Sequence, residues 1–93
     1  QISIKSATQE YYDYLFDAME NTTDGLNDIL DLQDDINHEL EMTDDDNYSK
    51  KILLTQQLLD NLQGQKKSLS QLREETLKLL TVIFLKTQLH MVI

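Results

Sequence analysis

Proline and cysteine are missing from these 93 residues, glycine occurs twice and tryptophan not at all. Strands and tight hairpins need more turn punctuation than two glycines give, so the scarcity excludes a sheet-rich fold. Without cysteine there is no disulfide framework and no thiolate metal site. That agrees with a reducing, intracellular setting, though it selects no compartment. No uncharged run approaches the roughly 20 apolar residues of a membrane-spanning helix. A basic segment leading into an apolar one, the mark of a secretory leader, is also lacking at the start. A chain that begins at Gln1 is expected to be a fragment or a processed product. The triplets Asn21-Thr22-Thr23 and Asn47-Tyr48-Ser49 match a glycosylation pattern, but chance produces such triplets in a chain rich in Asn, Ser and Thr.

What is present is charge, unevenly divided. The formal net charge is −9. Residues 1–47 hold fourteen acids against the single base Lys5, and residues 48–93 hold three acids against seven bases. The halves therefore carry −13 and +4, which sum to the −9 of the whole. Such a balance argues against nucleic-acid phosphates and anionic membranes as partners.

Helical periodicity fills both halves. Thr8, Tyr12, Leu15, Met19, Thr22, Leu26, Ile29, Gln33, Ile36, Leu40 and Thr43 follow one another in alternating steps of four and three. That spacing is the seam of a helix packed against another helix. The acids fall outside it. Phe16 and Leu30 lie on one flank of the seam, and Tyr11, Ala18 and Leu32 on the other. Apolar flanks widen the stripe past what a two-stranded coil covers, which points to a multi-helix bundle. In the second half Thr55, Leu58, Leu62, Gln65, Leu69, Leu72, Thr76, Leu79 and Ile83 predict a second seam.

Between the two seams lies Asp44-Asp45-Asp46-Asn47, where like charges repel and Asp and Asn compete with helical backbone bonding. Asn47 or Ser49 is the expected N-cap of the second helix. The fold predicted is all-α: long amphipathic helices in a single segment, arm one about 7–43, a joint at 44–48 and arm two about 49–92. Two arrangements fit. An antiparallel helical hairpin brings the acidic arm beside the basic one, with Lys50-Lys51 and Lys66-Lys67 as mates for the carboxylates. A continuous coiled-coil rod is favoured by the lack of Gly or Pro at the joint. The charge division tips the expectation to the hairpin.

The C-terminal end breaks the pattern. Earlier outer positions of arm two are polar, among them Gln56, Gln57, Asp60, Gln63, Gln71 and Glu74. After Thr76 the same positions carry Leu77, Phe84, Leu85, Met91 and Val92, and Leu80 and Leu89 add to an apolar surface that runs nearly all round the helix. A helix apolar on all sides is a buried helix. These seven residues, with Phe16, Leu30 and Leu32, form the expected partner-binding surface.

Chemistry is harder to find. Asp35 and His38 have the spacing of a di-iron bundle ligand pair, but the position three before His90 is Thr87, so the set is incomplete. His38 is expected in solvent and His90 at the edge of the core. A calcium loop counted from Asp44 would need Gly and Glu where Ser49 and Thr55 stand. Carboxylate pairs such as Asp13/Asp17 lie on the outer face, away from the burial that separates an acid from a base. Tyr11, Tyr12, Tyr14 and Phe16 form an aromatic cluster expected to pack in the core with hydroxyls at the rim, the alternative being an interface anchor. No catalytic, cofactor-binding or metal site is expected. The reading is a non-enzymatic helical subunit or fragment that assembles with partner helices in a scaffold or tether, hetero-oligomers favoured over homo-oligomers. The alternative is a membrane-associated module with residues 77–93 as an interfacial anchor. Its basic face would be only Lys78, Lys86 and His90, weak for that role.

Overall fold

The computed structural model describes residues 4–92, except the side chains of Lys5 and Val92. It contains two α-helices, α1 (Ile4–Met42) and α2 (Tyr48–Val92). The chain divides into two compact units. Unit one joins Gln1–Thr23 to Ser70–Ile93, and unit two is Asp24–Leu69. In unit one, Gln9 meets Lys86 and Thr22 meets Glu75. In unit two, Gln33 meets Gln65 and Glu39 meets Lys50. Numbers rise on α1 as they fall on α2, so the helices are antiparallel in each unit and the chain is a hairpin.

The reversal needs neither glycine nor proline. Thr43 closes α1, its amide bonding the Leu40 carbonyl at 3.3 Å and its hydroxyl the Glu39 carbonyl at 2.6 Å. The Asn47 amide then reaches back to the Asp44 carbonyl at 3.0 Å, making a four-residue turn. No described residue has a positive φ, so the turn asks nothing that only glycine supplies. This is why the missing Gly and Pro did not enforce a rod. Asn47 caps α2 as expected: its side-chain oxygen accepts from the Lys50 amide at 3.3 Å.

The α1 seam is as the sequence predicts. Leu15, Thr22, Ile36 and Thr43 are buried and the remaining seam residues half-buried, while every acid on the outer positions is exposed. The buried threonines remain satisfied: Thr43 donates to the Glu39 carbonyl, and the single Thr22 proton is shared between the Ala18 carbonyl and the Glu75 carboxylate.

The α2 seam departs from expectation. One row is correct: Leu58, Gln65, Leu72 and Leu79 face α1. The other row sits one residue earlier than predicted, on Leu54, Asn61, Ser68 and Val82, with Glu75 at its fourth step. Leu62, Leu69 and Ile83 are consequently exposed. Polar matching accounts for the choice. Asn61 donates to the Ile29 carbonyl at 2.8 Å, and Gln65 donates to Gln33 at 2.6 Å and to Asn61 at 2.7 Å. In unit one Thr22 donates to Glu75 at 2.6 Å. Turning that row outward would give up the Asn61–Ile29 and Thr22–Glu75 bonds, worth about 0.5–3 kcal/mol each. The observed register strands none among the described residues.

This register inverts an ordinary expectation. Asn61→Ala should destabilise the hairpin by about 1–3 kcal/mol, because it removes a buried bonded amide. Leu62→Ala should cost less than about 1 kcal/mol, since its side chain is already 46% exposed. Urea titration of the dilute chain measures both. A larger loss for Leu62→Ala would place Leu62 in the seam.

The charge mates also differ from expectation. Lys50 pairs with Glu39 at 3.4 Å and Lys51 with Asp45 at 3.1 Å. Lys66 and Lys67 pair with no carboxylate among the described residues, because both lie on exposed positions facing away from α1. The surface pairs that do form are worth about 0–1 kcal/mol each.

Candidate interaction surface

A two-helix pair can cover one stripe per helix, and α2 carries two. The Lys50–Glu39 pair marks one flank of the pair, where the residue after each seam asparagine or isoleucine does not lie. Leu30, one after Ile29, and Leu62, one after Asn61, fall on the opposite flank. In unit two that flank carries Leu30 of α1 with Ile52, Leu59, Leu62 and Leu69 of α2, all exposed. In unit one the corresponding flank carries Phe16 with Leu80 and Ile83, also exposed.

The expected surface residues do not gather at one spot. Leu77, Leu80, Phe84, Leu85 and Met91 are exposed in unit one, pointing to several sides of α2, while Leu89 is half-buried against α1. Val92 was expected beside them, and its side chain lies outside the described residues. Leu32 is exposed on the flank of unit two that carries the Lys50–Glu39 pair. Ile52, Leu59, Leu62, Leu69 and Ile83 were missed as surface residues. The signal was present in the sequence: Lys51, Leu54, Leu58, Asn61, Gln65, Ser68, Leu72, Glu75, Leu79, Val82, Lys86 and Leu89 also form an unbroken four-and-three series. Its members Asn61, Ser68 and Glu75 make it less apolar than the neighbouring row of Leu62, Leu69 and Ile83.

Comparison with protein-family models, with curated proteins and with solved structures finds no match to this chain.

At the end of unit one the packing loosens on both flanks. One open groove runs between Gln9, Tyr12, Ile83, Lys86 and His90. Lys86 crosses it, its Nζ donating to Gln9 at 2.5 Å and lying 4.3 Å from the Tyr12 ring centroid. The other groove lies between Ile4, Tyr11, Lys78, Val82 and Leu85 and is mostly apolar. The aromatic cluster is split rather than packed in the core. Tyr12 is half-buried in the seam, while Tyr11, Tyr14 and Phe16 are exposed. Adjacent rings stack at 6.4 Å, Tyr11 on Tyr14 and Tyr12 on Phe16. His90 is exposed at the groove rather than at the core edge, because the seam passes through Leu89 instead.

Among the described residues no group of three or more His, Asp or Glu is placed to hold a metal ion. No described helix is long and apolar enough to cross a membrane.

Proposed function

We propose that this chain is a non-enzymatic helical interaction subunit that completes its apolar packing with helices of other proteins. One observation carries the reading. Among the described residues four hydrophobic side chains are buried, Leu15, Ile36, Leu54 and Val82, against nineteen large ones that are exposed. Burying each exposed one fully would be worth about 1.5–3 kcal/mol, of which a half-exposed residue still has about half to gain. Apolar patches of this extent mark interaction surfaces.

The membrane-anchor alternative draws on Lys78, Lys86 and His90 as its basic face. Lys86 is half-buried and held by Gln9 and Tyr12, which leaves Lys78 and His90 as exposed members of that set. Two isolated groups are weak attraction for an anionic surface. Flotation with anionic vesicles separates the readings, and a chain that floats only when residues 77–93 are intact would replace the subunit reading with the anchor.

The isolated chain is expected to self-associate or aggregate at micromolar concentration, as light scattering after size exclusion would show. A monodisperse monomer with a cooperative melt would overturn the subunit reading.

A further inference from the structure

We infer that the apolar flank of unit two seats an amphipathic partner helix bearing lysines or arginines along the border that meets α1. The inference rests on the subunit reading and names the partner's chemistry. The flank runs from Ile52 through Leu59 and Leu62 to Leu69, with Leu30 opposite, all exposed. Seventeen residues of α2 separate its ends, about 25 Å of helix, so the partner segment spans about five turns.

The borders of the flank differ in charge. On the α1 side, Asp34 lies one turn beyond Leu30 and Glu41 two turns further, both exposed and neither ion-paired among the described residues. Glu39, the nearby carboxylate that is paired, belongs to the other flank. On the α2 side the border reads Gln56, Gln63 and Ser70, with Lys66 among the leucines. A helix lying on Leu59, Leu62 and Leu69 thus meets carboxylates along one edge and amides or a lysine along the other. Charge complementarity gives it a basic edge toward α1 and a neutral or acidic edge toward Lys66. A second copy of this chain fits poorly. It brings −9 against −9, and a two-fold pairing of the flank offers Lys66 against two carboxylates.

The test uses the full chain and two synthetic helices with one leucine stripe, one bordered by lysines and one by glutamates. Fluorescence anisotropy should show the lysine version binding about ten-fold more tightly at low salt, the effect of two exposed charge pairs. The gap should shrink at high salt. Asp34→Lys with Glu41→Lys should reverse the preference, and Leu62→Gln with Leu69→Gln should abolish binding while circular dichroism stays unchanged. Equal affinity for the two peptides, lost on Leu62→Gln with Leu69→Gln, would overturn the basic partner while leaving the subunit reading intact. An unchanged preference in the Asp34→Lys, Glu41→Lys chain would overturn it too. Binding of neither peptide would overturn docking at this flank, and self-association lost with Leu62→Gln would assign the flank to a second copy instead.

Discussion

Replacing Phe84 and Leu85 together by Asp should weaken association with a partner about a hundred-fold or more and leave both helices formed. Phe84 is 62% exposed and Leu85 is also exposed, so neither is needed to hold α2 against α1. Buried in a complex, each would contribute about 1.5–3 kcal/mol, and an Asp in its place would add the penalty of a desolvated charge. The sum exceeds about 3 kcal/mol, which is two decades in Kd. Leu85 also lines the groove beside Tyr11 and Val82, so Phe84→Asp alone is the cleaner probe. Sedimentation or pull-down from the native assembly measures association, and circular dichroism measures the helices. A complex that survives both substitutions would remove the C-terminal end from the interface and leave the unit-two flank as the docking surface.

Leu15→Asp should have the opposite signature: loss of the fold of unit one. Leu15 is 3% exposed in the α1 seam, and Asp13 and Asp17 stand two residues to either side. A carboxylate there is desolvated and set among like charges, at a cost above about 4 kcal/mol. Small domains are stable by about 5–15 kcal/mol in total, so the helix pairing of unit one should be lost or nearly so. Hydrogen exchange should report this as lost protection in residues 4–23 and 70–92. Unit two keeps its own bonds from Asn61 and Gln65 to α1, and its protection should persist. An unchanged melting curve would show that Leu15 is not a core residue.

The seam of α1, an N-cap at Asn47 or Ser49 and the all-helical class followed from sequence alone, and the structure selects Asn47. These depend on local spacing and local chemistry. A four-and-three series with acids everywhere else leaves a helix one face to bury, and Asn before a helical run caps it. The partner face of α2 did not follow, because α2 offers two adjacent rows that both repeat correctly. Hydrophobicity alone favours Leu62, Leu69 and Ile83 over Asn61, Ser68 and Val82.

The sequence by itself determined that the chain is helical, where a break between two arms could fall, and which face of α1 is buried; that the chain reverses there, rather than continuing as a rod, is a finding of the tertiary structure. Tertiary structure decided which row of α2 that face accepts. Asn61 reaches the Ile29 carbonyl, and Glu75 the Thr22 hydroxyl, only when the polar row turns inward. That is a property of two helices together, since a buried polar group is costly alone and inexpensive when paired. The same rotation left the leucine row outside, so the register that satisfies the core also creates the exposed flank.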